Sequence, residues 1–343
     1  MNFADYLKQK LPAVESEIMR GLPSPTAGSS EHIRTDLETY LYQPLSHFSA
    51  SGGKRVRPVL CCLSAEAVGG SAADALSIAC ATEDFQSAAI IHDDIADKSE
   101  MRRGEKCLYK TLGTGLAINV GDAALVNVIR RVTMASNLTD QLKVRIIDSL
   151  LAMEEHTLEG QALDLGWAQN ERWDITSAQY LFMSRAKTAY YSAAYPLVLG
   201  ALIGGAPDNT LQVLKEFGLK AGLAFQLQDD LLNLIGNAEA QGKDYRSDIT
   251  EGKRTLAVVY ALEHLSEPDK TELISILSAH TTDTLLLARA VKLMKDANAL
   301  EFVHTYALSL VAEAKNILNT ATLTEDARDT LLSMADFFVN RER

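Results

Sequence analysis

Apolar residues recur every three or four positions along most of this chain, which is the spacing of an amphipathic α-helix. The first such stripe covers residues 3–20 and places Phe3, Val14 and Ile18 on one face. The segment GLPSPTAGSS at residues 21–30 is rich in breakers and ends this helix. The same spacing predicts helices over residues 31–47, 58–68, 71–95, 118–135, 140–165, 176–203, 209–236, 253–264, 269–279, 282–295, 299–318 and 324–340.

Alternating apolar and polar runs bounded by hairpin turns are missing from the sequence, so the pattern predicts an all-α protein. Because the connections between helices are mostly short, we expect residues 1–343 to form a single domain, with the helix at 3–20 and a linker at 21–30. One connection, residues 237–252, is long and polar. Loops of this length inside a compact domain are usually functional or disordered.

The charge of the chain narrows the classes of partner. Its formal net charge is −12, from 45 acidic and 33 basic residues, and such an excess repels a polyphosphate backbone, so nucleic acid is not an expected partner. The sequence has no uninterrupted run of about 18 apolar residues, so it predicts no membrane span. The first residues lack the apolar block of a signal peptide, and we expect a cytoplasmic protein. The four cysteines form no CxxC pair, which favours free thiols.

The first candidate for chemistry is an acidic cluster in IIHDDIAD. Asp93 and Asp97 are four residues apart, so their carboxylates project from one helix face, with Asp94 beside them. Carboxylates this close repel one another unless a cation neutralises them. Their hard oxygen ligands suit Mg²⁺. Taken alone, such a cluster is more often a solvated acidic helix end.

A second acidic cluster changes that balance. FQLQDDLLN places Asp229 and Asp230 in an otherwise apolar helix, with Gln226 one turn before them and Asn233 one turn after. Buried carboxylates are costly unless they are paired or bind a metal. Two such clusters on core helices of a bundle could face each other across a cavity, as metal sites in bundles do. On a further helix, EGQALD presents Asp164.

Basic residues are placed beside both acidic clusters. GGKRVRP at residues 52–58 combines two glycines, three basic residues and a proline that starts a helix, which suits a phosphate ligand. MRRG at 101–104 follows the first cluster closely. Any single basic residue here is more often a solvated surface residue, but their common placement suggests two diphosphate sites. The candidates are Lys54, Arg55, Arg57, Arg102, Arg103, Lys187, Lys243 and Lys253.

Seven motifs occur in an order that resembles the trans-prenyl diphosphate synthases of the polyprenyl synthetase family. They are GGKRVRP, HDDIAD…MRRG, GDAAL, EGQALDL, KTAYY, FQLQDD and GK…DI..GK, between about residues 50 and 260. The resemblance implies an isoprenoid synthase-type all-α bundle around a central cavity, generally a homodimer. It also implies head-to-tail condensation of isopentenyl diphosphate with an allylic diphosphate, geranyl or farnesyl diphosphate, with Mg²⁺ as the cofactor.

The resemblance also implies a role for each matching residue. Asp93, Asp97 and Asp229 would bind Mg²⁺, while Asp94, Asp164 and Asp230 would be supporting carboxylates. Arg102, Lys187, Lys243 and Lys253 would complete the shell of the allylic diphosphate. Isopentenyl diphosphate would be bound by Lys54, Arg57, Gln86 and Arg103. Thr188, Gln226 and the Lys187 carbonyl would offer oxygen dipoles to the developing cation.

One position departs from the family pattern. The second motif usually reads DDxxD, and its last position here is Asn233. An amide oxygen can still act as a ligand, but one negative charge is gone. We therefore expect modestly weaker use of Mg²⁺ and retained activity.

Residues upstream of Asp93 predict the length of the product. Phe85, Ala88 and Ala89 precede it by eight, five and four residues, on the face that runs away from the metal into the cavity. Alanine leaves the wall open at the two nearer positions, which makes Phe85 the candidate floor. The expected product is twenty-carbon geranylgeranyl diphosphate, and a twenty-five-carbon product remains open.

Two other functions also remain open at this point. A class I terpene cyclase on the same fold would need the acidic clusters but not the isopentenyl diphosphate residues, all of which are present. A non-catalytic prenyl-diphosphate-binding subunit of a heteromeric synthase is supported only by Asn233. Such subunits commonly lose much of the first aspartate motif, and this chain keeps it. An all-α scaffold protein would leave the ordered charged motifs unexplained.

Overall fold

The computed structural model describes residues 1–26, 30–236 and 246–340, and most of these residues are helical. The all-α prediction is confirmed. The helices of the N-terminal half are α1 (Phe3–Arg20), α2 (Glu31–Leu37), π1 (Glu38–Tyr42), α3 (Gln43–Ala50), α4 (Val56–Ala67), α5 (Ala72–Ala96), α6 (Leu108–Leu112), α7 (Thr114–Met134) and α8 (Asp140–Gln169). Those that follow are α9 (Ser177–Ser184), π2 (Arg185–Ala194), α10 (Tyr195–Ile203), α11 (Asp208–Ile235), α12 (Ser247–Thr250), α13 (Leu256–His264), α14 (Glu267–Ser278), α15 (Thr284–Asp296), α16 (Ala299–Leu318) and α17 (Glu325–Val339).

Three local features differ from the sequence prediction. A short antiparallel hairpin joins β1 (Met101–Arg102) to β2 (Glu105–Lys106), where no strand was expected. Helix α4 begins at Val56 rather than at Pro58, because proline is tolerated anywhere in the first turn, whose N–H groups have no helical partner. Two stretches, π1 and π2, widen to π-helix, a rare geometry that is frequent at functional sites and that no residue spacing signals.

The described residues fall into two compact units. Unit 1 comprises Met1–Leu150, Pro196–Leu211 and Thr322–Thr330. Unit 2 comprises Leu151–Tyr195, Gln212–Ala321 and Leu331–Arg343. That residues 1–343 form a single domain stays a prediction. In the part of the chain that the structure describes, no helix has the length and apolar character that a bilayer span needs.

Unit 1 is organised around α5, which packs against α4, α7 and α1. Many of its inward-facing residues are small, including Ala75, Ala79, Ala81 and Ala88, all of them fully buried. Small side chains let the neighbouring helix axes come close. This close packing restricts the movement of α5 and so fixes the position of its end.

Unit 2 brings the backbone of π2 close to two other helices. A Cβ placed on Gly160 of α8 would lie 2.5 Å from Lys187 Cα and closer still to its nitrogen. On α11, a Cβ at Gly218 would lie 2.5 Å from Ala194 Cα, and one at Gly222 would lie 3.0 Å from Ala189 Cα. Only glycine permits such approaches, so the packing of unit 2 fixes the position of π2 through its backbone.

Candidate active site

The first acidic cluster lies at the end of α5. Asp97 N donates to Asp93 O at 2.8 Å, so one helical turn separates the two residues, and both side chains are half-buried. Asp94 is buried, with 2% of its surface exposed. Its Oδ1 accepts hydrogen bonds from Arg102 Nε at 3.0 Å and Arg102 Nη2 at 2.6 Å. Asp94 therefore positions an arginine, while Asp93 and Asp97 occupy the less buried end of the cluster.

The β1–β2 hairpin sends its two arginines to different partners. Burial lowers the pKa of Arg102, but its hydrogen bond and charge interaction with Asp94 outweigh this, and the net shift is upward. Arg103, with a left-handed backbone at φ 53°, instead donates from Nη1 to Phe48 O at 3.3 Å and Ser51 Oγ at 3.2 Å. The assignment of these two residues to different diphosphates stays a prediction.

The loop before α4 and the first turn of that helix carry two further predicted ligands of isopentenyl diphosphate, Lys54 and Arg57. Lys54 is exposed and Arg57 half-buried, and the loop before them turns at Gly52 and Gly53, with φ of 94° and 136°. On α5, Gln86 has a buried amide oxygen with no hydrogen-bond partner among the described residues. Burial lowers the pKa of Arg103, and so do the charges of Arg55, Arg102 and Arg57, in that order. These arginines thus form a cluster of like charge.

The first catalytic candidates of unit 2 lie in π2. Lys187 is half-buried, and its Nζ lies 2.5 Å from Asp164 Oδ2 on α8. Thr188 is buried, with 7% of its surface exposed. The motifs EGQALD and KTAYY thus each supply one member of an ion pair.

The second acidic cluster lies in the last turns of α11. Asp230 is buried, accepting a hydrogen bond from Tyr180 Oη at 2.5 Å and another from Gln226 Nε2 at 2.7 Å. Burial raises the pKa of Asp230 to about 7, and the charges of Asp248 and Asp229 add to the rise. Asp230 thus orients Gln226, while Asp229 is the half-buried member of the pair.

Asn233 connects α11 with α12. Its Nδ2 donates to Ser247 Oγ at 3.0 Å, and its Oδ1 accepts from Asp248 N at 3.2 Å. Burial raises the pKa of Asp248, as do the charges of Asp164 and Asp229. The amide of Asn233, at the position that departs from the family motif, therefore holds α12 in place. That helix brings the carboxylate of Asp248 into electrostatic range of Asp229.

Lys253 and Lys243 differ in what the structure describes. Lys253 Nζ lies 2.7 Å from Glu251 Oε2 and 3.7 Å from Asp248 Oδ1. Lys243 lies outside the described residues.

The three residues predicted to set product length differ in burial. Phe85 is 4% exposed and Ala88 is fully buried, in a cluster with Leu45, Phe48 and Val120. Ala89 is half-buried. Ala88 thus belongs to the packed core of unit 1, and the assignment of Phe85 as the floor stays a prediction.

Sequence reasoning overlooked several residues that support these candidates. Tyr180, Glu83 and Asp248 were not singled out, and Arg55 was noted without a role. Asp248 lies within the quoted GK…DI..GK motif, so the motif itself held a signal. Tyr180 and Glu83 carry no signal in spacing, because their partners are 50 and 28 residues away.

The carboxylates present fit a hard divalent cation. Within residues 1–26, 30–236 and 246–340, no three Asp, Glu, His or Cys side chains are grouped so that they could hold a metal ion. Mg²⁺ does not need such a cage, because it is usually held by one or two carboxylates with substrate phosphates and water. Two sets of carboxylates could hold Mg²⁺ in this way. One is Asp93 with Asp97, and the other is Asp229 with the acidic groups near it.

Comparison with known proteins agrees with these features. The family model described as polyprenyl synthetase matches residues 38–294. A short chain isoprenyl diphosphate synthase from Methanothermobacter thermautotrophicus is 37% identical over 332 residues, covering 95% of this chain and 99% of the relative. A geranylfarnesyl diphosphate synthase from Natronomonas pharaonis is 31% identical, with 96% and 98% covered.

A solved structure extends the likeness to the fold. Geranylgeranyl pyrophosphate synthase from Corynebacterium glutamicum, complexed with isoprenyl diphosphate and magnesium, has a TM-score of 0.88 at 25% identity, with both chains covered completely. The predicted prenyl synthase fold is therefore confirmed. Motifs, fold and relatives agree, and this chain belongs to the polyprenyl synthetase family, as a prenyltransferase that makes prenyl diphosphates.

Proposed function

We propose that this enzyme condenses isopentenyl diphosphate head-to-tail with geranyl or farnesyl diphosphate, in a magnesium-dependent reaction. The observation that carries the proposal is that Arg103 lies against the glycine loop that precedes Lys54 and Arg57. A Cβ on Gly53 would lie 3.3 Å from Arg103 Nη2, and the charge of Arg57 contributes to lowering the pKa of Arg103. Such a group of cations is stabilised by a polyanion. A terpene cyclase, which takes one diphosphate substrate, has no use for a second cationic set.

Magnesium ions held by Asp93, Asp97 and Asp229 with the phosphate oxygens of the allylic substrate would supply positive charge that stabilises the departing diphosphate. Arg102, Lys187, Lys253 and Lys243 are the protein cations of the same diphosphate. Asp94 and Asp164 hold two of these cations in place through direct ion pairs. Charge from fixed groups lowers the cost of ionising the C–O bond, because it needs no rearrangement during the reaction.

The oxygen atoms of π2 and α11 would stabilise the allylic cation. Thr188 is buried and belongs to a backbone that Gly160 and Gly222 fix closely. Gln226 is oriented by its hydrogen bond to Asp230, because that bond uses the Nε2 and leaves the oxygen directed elsewhere. The alkene of isopentenyl diphosphate attacks the cation, and its proton leaves to the departing diphosphate. No protein base is required.

We infer a twenty-carbon product, geranylgeranyl diphosphate. Ala88 and Ala89 present no aromatic side chain, while Phe85 is the next large residue along that side of α5. Similar proteins carry names that specify geranylgeranyl and geranylfarnesyl products, with twenty and twenty-five carbons, which supports one of these two lengths. Replacing Phe85 with alanine is expected to lengthen the product, and an unchanged product would rule out this floor.

The enzyme is also expected to be a homodimer. Helix α7 exposes large apolar side chains, with Val126 70% exposed and Met134 71% exposed. Burial of such side chains against a second copy would remove apolar surface from water. Light scattering should give a mass of two chains. The cytoplasmic location stays a prediction.

The decisive experiment incubates labelled isopentenyl diphosphate with dimethylallyl, geranyl or farnesyl diphosphate, with and without Mg²⁺, and sizes the products by chromatography. We expect geranylgeranyl diphosphate from the geranyl and farnesyl primers in the presence of Mg²⁺ only. A parallel incubation with geranylgeranyl diphosphate alone tests cyclisation. Hydrocarbon in that incubation would favour a cyclase, and no product with any primer would favour a non-catalytic subunit.

A further inference from the structure

Arg55 lies between two predicted diphosphate ligands, Lys54 and Arg57, but its side chain is turned into the protein. Only 4% of Arg55 is exposed. Its Nη1 donates to Glu83 Oε1 at 2.6 Å, and its Nη2 donates to Ser49 O at 2.6 Å. Arg55 is therefore an internal anchor of a loop whose neighbouring basic residues are more exposed.

The backbone at Arg55 has an unfavourable conformation that surrounding contacts must maintain. Its φ of 49° and ψ of 34° are left-handed, a conformation that is unfavourable for any residue with a Cβ. It follows Gly52 and Gly53, which also have positive φ. A loop with such a backbone persists only where surrounding contacts over-determine it. The contacts of the Arg55 guanidinium with Glu83 and Ser49 are of that kind.

Glu83 is the acid that balances this group of cations. It lies on α5, three residues before Gln86, and is 3% exposed. Its second oxygen, Oε2, is buried without a hydrogen-bond partner among the described residues. The negative charge of Glu83 also acts on Arg103, opposing the repulsion from Arg55 and Arg57. A Cβ on Gly53 would lie 3.5 Å from Arg55 Nη1 and 3.3 Å from Arg103 Nη2, so both guanidiniums lie against the same glycine.

We propose that Arg55 and Glu83 are positioning residues for the isopentenyl diphosphate subsite, an inference that rests on the proposed function. Their buried ion pair holds the 52–57 loop in its left-handed turn, so that Lys54 and Arg57 are presented to a diphosphate, and Glu83 lets several arginines gather before that anion binds. Neither residue contacts the substrate. Their loss weakens the binding of isopentenyl diphosphate and leaves the allylic substrate unaffected.

The neighbouring residue supplies a matched control. Asp84 follows Glu83 on α5 and forms an ion pair with Arg131. The side chains of that pair are 3% and 4% exposed, against 2% and 4% for Arg55 and Glu83. Arg131 also donates to Glu17 O and Ile18 O, in the last turn of α1. A purely structural role predicts the same behaviour for both pairs.

The experiment compares Glu83→Gln with Asp84→Asn in the full chain, measuring Tm and the KM values for isopentenyl and farnesyl diphosphates. Both variants should lower Tm. Glu83→Gln should raise the KM for isopentenyl diphosphate by about tenfold or more, because neutralising this acid frees the anchor of the loop. The KM for farnesyl diphosphate should stay within about twofold, and Asp84→Asn should change neither KM by more than that.

Equal changes in both KM values, or a lower Tm with an unchanged KM for isopentenyl diphosphate, would overturn the proposal. If Glu83→Gln does not fold, Glu83→Asp, which keeps the charge but shortens the side chain, carries the same comparison. Titration calorimetry with isopentenyl diphosphate alone compares affinities without turnover. It therefore decides the role of Arg55 and Glu83 even if the wild-type chain makes no prenyl product. Absence of a prenyl product would count against the proposed function and not against this inference.

Discussion

The two units of this enzyme hold their functional side chains by different means. In unit 1, buried acids on α5 are each paired with an arginine. Asp94 accepts from Arg102 and Glu83 from Arg55, both at 2.6 Å, while Asp84 is paired with Arg131. Positions in this unit are therefore set by charge, through guanidinium groups that hold two or more partners at once.

Unit 2 holds π2 by close backbone packing and by the ion pair of Lys187 with Asp164, and it holds Asp230 by neutral hydrogen bonds. Gly160 lets α8 approach π2 at the backbone of Lys187. Asp230 accepts from Tyr180 and Gln226, which are both neutral, and burial raises its pKa to about 7. Burial also raises the pKa of Glu154 to about 7, and one of its oxygens is buried without a hydrogen-bond partner among the described residues.

The difference teaches how each kind of site responds to change. An acid paired with arginine leaves a costly buried charge when its partner is removed. Burial raises the pKa of Asp84 even beside Arg131. An acid held by neutral donors tolerates the loss of one of them, but its charge depends on pH near neutrality. The paired acids of α5 should therefore be sensitive to charge deletion, π2 to added volume, and the buried acids of unit 2 to pH.

The largest expected effect is the loss of an arginine from unit 1. Arg131→Met should lower the free energy of unfolding by about 3–5 kcal/mol, because Asp84 is left buried and unpaired. Denaturant unfolding measures this change. The control is Lys292→Met, which removes an exposed ion pair with Asp296 and should cost no more than about 0.5 kcal/mol. Equal costs would remove the distinction between buried and surface pairs.

Added volume in unit 2 should have the next largest effect. Gly160→Ala introduces a methyl group that overlaps the backbone of Lys187, which should cost about 3 kcal/mol of stability. Because Lys187 and Thr188 must shift, kcat should fall as well. Steady-state kinetics and thermal unfolding measure the two changes.

The matched control lies six residues further along α8. A Cβ on Gly166 meets nothing within 4 Å, so Gly166→Ala should keep full activity and gain up to about 1 kcal/mol from helix propensity. If Gly160→Ala behaves like Gly166→Ala, close packing does not position π2.

Loss of a neutral donor should be tolerated better. Tyr180→Phe removes the hydroxyl that donates to Asp230 and should cost about 1–2 kcal/mol, since Gln226 still donates to that carboxyl. Calorimetric Tm compared with that of Arg131→Met measures the contrast. A cost as large as that of the arginine deletion would contradict the proposed difference between the units.

The smallest effect is a change in the pH dependence of stability, because Glu154 is only partly buried and solvent screens its charge. Folding raises the pKa of Glu154 from 4.5 to about 7, so between these values the folded chain binds more protons than the unfolded chain. The contribution of this carboxyl to stability therefore falls as the pH rises through that range. Glu154→Gln should be more stable than wild type at pH 8 by a margin that shrinks towards pH 5.

The control for this effect is Glu155→Gln, which makes the same change at an exposed neighbour. Thermal unfolding at a series of pH values compares the two variants. Parallel profiles for Glu154→Gln and wild type would show that Glu154 does not titrate differently in the folded chain.

Local sequence patterns were sufficient for most helices and for the candidate ligands. Helix α1 spans the predicted residues 3–20 and α16 the predicted 299–318, because the apolar period and the breakers that end it are local properties. The hairpin at Met101–Lys106 and the π-helical form of residues 185–194 were not predicted. Both depend on what the segment packs against.

The order of residues along this chain determined that it is helical, which charges it carries and which family motifs it contains, because periodicity and motif spacing are written in neighbouring positions. Tertiary structure decided which acid meets which base. Glu83 and Asp84 are adjacent on α5, yet one is bound to Arg55 and the other to Arg131, 28 and 47 residues away. Such pairings follow from how helices pack, and no local rule assigns them.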